Sequence, residues 1–232
     1  MIVLGHRGIH DRTHSENTIE SLEEAIRRGA DGIEFDLRAS KDGEIVVIHD
    51  ANLHRVAGDA HRIAELTAAE LAQTVLRSGG TIPTLHDVTS QIFAPAVLDM
   101  EIKHRDVIDL LIAKLNTSAG LRERTIVSSF HATALLRIRR ACPGVRILFL
   151  AMRWPLPLRG RPFWARLERL KPWGVGFPEY SLTRHRVRKL QSRGFNVAAW
   201  DRLGTVREAR RIKSLNPDIA IVHHVNEMRI PQ

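Results

Sequence analysis

The sequence predicts a closed (β/α)8 TIM barrel of the α/β class, on three observations. Short apolar runs alternate with segments of helical spacing along all 232 residues, the pattern of parallel strands joined by crossover helices. That length suits eight β–α units, since such barrels typically take about 250 residues. No G-x-G-x-x-G and no G-x-x-x-x-G-K-[ST] segment follows the first strand, which counts against a doubly wound nucleotide-binding sheet.

The elements follow in order. Ile2–Gly5 is the first apolar run, and Asn17 with Glu20 three residues on predicts a helix start with a capping-box partner. Leu22, Ala25 and Ile26 then repeat at helical spacing before a second strand, Gly32–Arg38. Ser40-Lys41-Asp42-Gly43 reads as a tight turn, so this strand is expected to bend into a hairpin-like extension, Glu44–His49. Further strands are expected at Ala96–Ile102, Thr125–Ser129, Val145–Leu150, Gly174–Phe177, Val197–Trp200 and Ile219–Val222, with a helix through Leu110, Leu111 and Leu115 after the first of these. Without a Gly/Ser-rich linker or a short-period repeat, residues 1–232 are expected to form one domain.

Composition narrows the setting. With 44% hydrophobic and 26% charged residues, the chain has the make-up of a globular protein that buries a core. No window approaches the roughly 18–20 apolar residues of a membrane span, and the start lacks a basic segment followed by an apolar one. Cys142 has no second cysteine to pair with and is expected to be a small buried residue near a helix end. The cytoplasm is the compartment these features fit. Charge is unevenly spread: residues 1–116 carry 12 basic against 19 acidic residues, and residues 117–232 carry 23 against 7. An acidic first half suits a cation site, and a basic second half suits an anionic partner.

In such a barrel chemistry gathers where strands end. Those ends carry His6-Arg7-Gly8, Glu34-Phe35-Asp36, His49-Asp50, Glu101-Ile102-Lys103, Trp200 and His223-His224. Residues i and i+2 of a strand face the same way, so Glu34 points with Asp36 and Glu101 with Lys103. Three inward carboxylates are costly unless something positive binds them, and an all-oxygen ligand set selects a hard divalent cation such as Mg²⁺ or Ca²⁺. His6 and His49 flank that site and are candidates for the acid and base of a hydrolysis.

Gly5-His-Arg-Gly8, Glu16-Asn-Thr18, Glu34-Phe-Asp36, His49-Asp50, Ile82-Pro-Thr-Leu85, Glu101-Ile-Lys103 and Ser129-Phe130, in this order, resemble the glycerophosphodiester phosphodiesterase family. Leu182-Thr183 and Gly194-Phe-Asn-Val-Ala-Ala-Trp200 are similar to its later strands, so the likeness runs from residue 5 to about 201. It implies metal-dependent hydrolysis of glycerophosphodiesters to glycerol 3-phosphate and an alcohol, with Glu34, Asp36 and Glu101 as metal ligands. His6 and His49 would be the acid/base pair, Arg7 and Lys103 would hold phosphate charge, and Trp200 would wall the alcohol. The short Asp50–Thr84 segment leaves no room for the larger insertion that some members carry there.

Three departures stand out. Asp201-Arg202 follows the tryptophan where the family has Thr or Val and then Asn, Ile221-Val-His-His224 replaces a Gly-Ile-Ile-Thr-Asp type ending, and His86 precedes the usual acidic residues. Sphingomyelinase D and lysophospholipase D barrels share the His and carboxylate pattern, so action on lysophospholipids or sphingolipids is the rival reading. A non-catalytic module binding anionic lipid or nucleic acid is the rival of another class; the basic half lacks a nucleic-acid motif or stacking ladder, so no nucleic acid is expected. Arg153, Arg159, Arg161, Arg166 and Arg169 interleave with Trp154, Phe163 and Trp164. This stretch is read as a solvated arginine face whose aromatics pack on the barrel, with peripheral contact to an anionic membrane as its functional alternative. Leu156, between Pro155 and Pro157, is expected in a loop. His223 and His224 are expected in a solvated loop, and His14, His54, His61, His104 and His185 on the surface.

Overall fold

A computed structural model describes residues 1–155 and 161–229. Eight parallel strands close on themselves: β1 (Ile2–His6), β2 (Gly32–Ala39), β4 (Val97–Ile102), β5 (Thr125–Ser129), β6 (Arg146–Leu150), β7 (Gly174–Pro178), β8 (Asn196–Trp200) and β9 (Ile219–Val222), with β9 pairing back onto β1. The barrel is the expected (β/α)8 architecture, and each expected strand is present to within one or two residues at its ends. β3 (Ile45–Val47) runs antiparallel to β2, with Leu37 opposite Val47 and Ala39 opposite Ile45, as the turn at Ser40–Gly43 requires.

Helices cover the outside: α1 (Ile19–Arg27), α2 (His54–Ala57), α3 (Ala68–Ala72), α4 (Leu85–Gln91), α5 (Ile108–Thr117), α6 (Ala119–Arg124), α7 (Ala132–Ala141), α8 (Arg161–Leu170), α9 (Arg184–Gln191), α10 (Val206–Leu215) and α11 (Val225–Arg229). None of the described helices is long and apolar enough to cross a membrane. Cys142 is buried at the end of α7, as expected. Leu156, Pro157 and Arg159 lie outside the described residues.

Strand alternation sorts the side chains into two cores. Ile33, Phe35 and Leu37 of β2 and Leu98, Met100 and Ile102 of β4 face outward under the helices. Leu4, Ile126, Leu148, Ala198, Ile219 and Ile221 face inward and fill the barrel. Burying one such side chain contributes about 1.5–3 kcal/mol, and this apolar packing holds the polar strand ends above it. Trp200 packs close to Gly176 of the neighbouring strand, where a Cβ would lie 3.3 Å from its ring and 2.7 Å from Leu150. A third cluster of Val46, Ile48, Leu53, Ile63, Leu71 and Ile82 supports β3 and the segment that carries His49.

The start of α1 differs from the expectation. Thr18, not Asn17, is the N-cap, and its capping partner is Ser21, not Glu20. Both residue types cap helices well, but Asn17 is in the left-handed region (φ 61°) with its side chain spent elsewhere: Nδ2 donates to Asp36 at 2.9 Å. Thr84 caps α4 with Asp87 as its capping-box partner, and Pro83 O accepts from Val47 N. The Ile82-Pro-Thr-Leu85 motif therefore ties the extension to the helical layer.

Candidate active site

The strand ends converge on one cavity of about 220 Å³ at the C-terminal rim, lined by His6, Arg7, Glu34, His49, Lys103 and Trp200 among others. Glu101 lines it as well, and Asp36 lies fully buried beside it. Every residue singled out for the site is thus brought to one place.

β1 delivers His6 at its last position and Arg7 immediately after. Arg7 takes a left-handed backbone (φ 56°), which an L-residue adopts at a cost. Its N–H donates to the Glu34 carbonyl at 2.9 Å and to Glu34 Oε2 at 3.1 Å, and Asn17 N donates to its carbonyl at 2.9 Å. Gly8 completes the turn at φ 78°, where a Cβ would stand 2.4 Å from the Ser21 carbonyl carbon. The turn aims the guanidinium inward. Its Nη1 donates to Glu16 at 3.0 Å, and its Nε lies 3.3 Å from Asp36 Oδ2. Glu16 is shared with Arg55, which also bonds Asp50, so Arg7 is braced from behind.

β2 and β4 pair in register, with Glu34 beside Asp99 and Asp36 beside Glu101. One ligand oxygen each of Glu34, Asp36 and Glu101 falls within 4.8 Å of the others, so the three could hold a metal ion. Lys103 Nζ is 2.8 Å from Glu101 and 3.3 Å from Asp36. The Asp36 oxygen that faces Lys103 is Oδ1, an ion pair without hydrogen-bond geometry. A buried, all-carboxylate donor set of this kind fits a hard cation.

The electrostatics agree. Burial, then Asp36, Glu101 and Asp99, push the Glu34 carboxyl well above its ordinary value. Burial raises Glu101 to about 7 despite Lys103. Burial acts on Asp36 too, but Arg7 and Lys103 outweigh it and hold that carboxyl below the usual range. Three carboxylates this close cannot all ionise cheaply without added positive charge. Asp99, one layer beneath Glu101, is likewise buried, and burial raises it to about 7 against the opposing effect of Ser128. It was missed from sequence, although it stands two residues before Glu101 on the same strand face.

His6 Nε2 is 3.9 Å from Glu34 Oε2, and Nδ1 is 2.8 Å from Asp201 Oδ1. Burial lowers its pKa to about 4. His49 is half-buried just past β3, its Nδ1 2.6 Å from Asp50 Oδ1, and Arg38 Nε donates to its carbonyl at 2.9 Å. Burial lowers this histidine also. Each histidine thus has one nitrogen on a carboxylate. Trp200 serves both readings weighed for it: it packs in the barrel core and lines the cavity, edge-on to Phe130 at 5.9 Å.

His223 corrects the expectation of a solvated loop. It is buried, with Nδ1 2.6 Å from Asp201 Oδ1 and its ring 4.6 Å from that of His6. Asp201 and His223 stand 22 residues apart, and only the β8–β9 pairing brings them together. The signal available from sequence was that each directly follows a strand. His54, His61, His104 and His185 are exposed, as expected, and His14 is half-buried. In the basic half, Trp154, Phe163 and Trp164 pack against the helix-covered core as expected. Arginines lie over the aromatics, Arg193 at 4.2 Å from the Trp164 ring and Arg186 at 5.2 Å from that of Trp154.

A TIM barrel with a carboxylate cradle, two histidines and two cations around one rim cavity defines a class built to handle anionic phosphate esters. Residues 6–227 match the model of the glycerophosphoryl diester phosphodiesterase family, and the chain belongs to that family. A glycerophosphodiester phosphodiesterase from Caldanaerobacter subterraneus subsp. tengcongensis is 32% identical over 158 residues, 63% of this chain and 65% of that protein. The chain thus spans a little under two thirds of that relative's length. A crystal structure of the enzyme of that name from Thermotoga maritima superposes with a TM-score of 0.78 at 28% identity, covering 97% of this chain and 96% of that one. An Oleispira antarctica phosphodiesterase, solved with its product sn-glycerol 3-phosphate, shares the fold at a TM-score of 0.80 and 24% identity over 99% of this chain and 95% of that one.

Proposed function

We propose that this chain, read as a single domain over residues 1–232, hydrolyses glycerophosphodiesters to glycerol 3-phosphate and an alcohol. The observation that carries the reading is the convergence of both histidines, Arg7, Lys103 and the carboxylate cradle on one cavity. Family membership and the name of the 32%-identical relative support the substrate class.

Glu34, Asp36 and Glu101 would hold a divalent cation, Mg²⁺ or Ca²⁺. Such a cation supplies Lewis-acid charge to the phosphoryl group when bound. Arg7 and Lys103 neutralise further phosphate charge: burial would lower Lys103, but Asp36 and Glu101 outweigh it and keep the ammonium charged. One histidine takes the proton of the attacking hydroxyl and the other returns a proton to the leaving alcohol. Trp200 faces the alcohol with an apolar wall.

The test is product analysis by phosphorus NMR with one soluble glycerophosphodiester. Water as attacker gives the phosphomonoester directly, and attack by the substrate's own neighbouring hydroxyl gives a cyclic phosphate first. Absence of any phosphorus product with Mg²⁺ or Ca²⁺ present would overturn the reading. The second reading, action on a lysophospholipid, is favoured by exposed Met152 at the cavity mouth. Faster turnover of a lysolipid than of a soluble diester would select it.

A further inference from the structure

Two of the three departures of this chain from the family pattern meet in space. β8 and β9 pair with Trp200 beside Ile221, and Asp201 N donates to Ile221 O at 3.1 Å, so Asp201 comes level with the end of β9. β9 pairs with β1, Val222 beside Gly5, which places His223 next to His6. Three successive strand ends thus hold His6, His223 and Asp201, all buried, with Asp201 wholly so.

Both carboxylate oxygens of Asp201 are engaged. Asp201 Oδ1 is 2.8 Å from His6 Nδ1 and 2.6 Å from His223 Nδ1, and Oδ2 accepts the His223 backbone N–H at 2.8 Å. A carboxylate only accepts, so both Nδ1 atoms carry the hydrogen. The Nε2 of His6 is then the nitrogen with a free lone pair, and it is the one on the Glu34 side. The ring of His223 is held in turn by His10, 4.2 Å away edge-on, and by the backbone at Gly204, where a Cβ would come within 3.0 Å of it.

We infer that Asp201, with His223 as its brace, is the positioning residue for His6: it fixes the Nδ1–H tautomer and presents Nε2 to the cavity as the proton acceptor. This rests on the proposed hydrolytic role of His6. An isosteric change tests it sharply. In Asp201→Asn the amide oxygen must stay on the His223 backbone N–H, because an NH2 there would face a donor. The amide nitrogen then takes the Oδ1 place, and an Nδ1 atom facing it must turn acceptor, moving the hydrogen to Nε2.

The experiment is nitrogen-15 NMR of labelled histidines in the full chain with Mg²⁺ at pH 7.5, alongside kinetics on a soluble glycerophosphodiester. The parent should show His6 and His223 both as Nδ1–H tautomers. Asp201→Asn should shift His6 to Nε2–H and lower kcat by about 10² to 10⁴-fold, with KM little changed. In a His6→Ala background the same substitution should cost nothing further. An Nε2–H or doubly protonated His6 in the parent overturns the inference even if the variant does not fold. So does a parent-like kcat in folded Asp201→Asn when His6→Ala is inactive. Parent-like activity of His6→Ala instead refutes the hydrolytic role of His6 itself, whatever the tautomers show.

Discussion

Glu34→Gln is expected to make the protein more stable in chelator and less responsive to the cation. Two carboxylate oxygens 4.8 Å apart, the outer limit within the cradle, repel by about 3.5 kcal/mol at an effective dielectric of ~20. Glu34 faces Asp36 and Glu101, with Asp99 below and Arg7 as partial relief. Protonation caps the strain, so neutralising Glu34 should relieve on the order of 1–3 kcal/mol, a rise in Tm of a few degrees at this size. The amide oxygen still accepts from Arg7 N, so the turn at Arg7 survives. With cation the gap narrows: the parent gains about 2.7 kcal/mol at 100 times its Kd, and a tenfold loss of affinity halves that gain in the variant. Thermal melts of parent and variant across a Mg²⁺ or Ca²⁺ series, starting from chelator, read both effects. A variant less stable in chelator, with an unchanged gain on adding cation, would refute the cradle.

Four other outcomes are expected. His49→Ala should lower kcat by about 10² to 10⁴-fold while calorimetric titration shows cation affinity retained; loss of the cation with near-normal kcat at saturation would refute that division of roles. In chelator, stability should fall with rising pH: a raised carboxyl such as Glu101 contributes fully below its ordinary value of 4.5 and loses that contribution through about 7. Cation binding at pH 6 should accordingly release protons, read as buffer-dependent heat, and none should appear if the carboxylates are already ionised. Trp200→Ala should destabilise by about 3–5 kcal/mol in melts and flatten discrimination among alcohols in a diester panel. A variant with parent stability and selectivity would remove Trp200 from both roles.

The barrel was legible because its strands are short apolar runs bounded by polar ends, and two residues of spacing sufficed to place Glu34 with Asp36 and Glu101 with Lys103. What sequence spacing does not carry is the neighbour relation of distant strand ends. Asp201 and His223 looked like unrelated departures until β8 and β9 lay side by side. Asp99 went unnoticed because a buried carboxyl looks no different in sequence from a surface one. The helix start slipped by one residue because Asn17 is by type the better cap of the two, and the competing demand of Asp36 for Asn17 belongs to tertiary structure. The acidic half supplies the carboxylates of the cradle, and four arginines of the basic half lie over aromatic rings.

The closing pair of strands carries a consequence for which part of the site depends on the whole barrel. Glu34, Asp36 and Glu101 come from β2 and β4, which are direct neighbours in the sheet. His6, by contrast, meets Asp201 and His223 only because β9 closes onto β1. The cradle is thus a local product of two adjacent strands, whereas the setting of His6 is a product of closure: whatever loosens the β9–β1 seam should disturb the histidine before it disturbs the carboxylates.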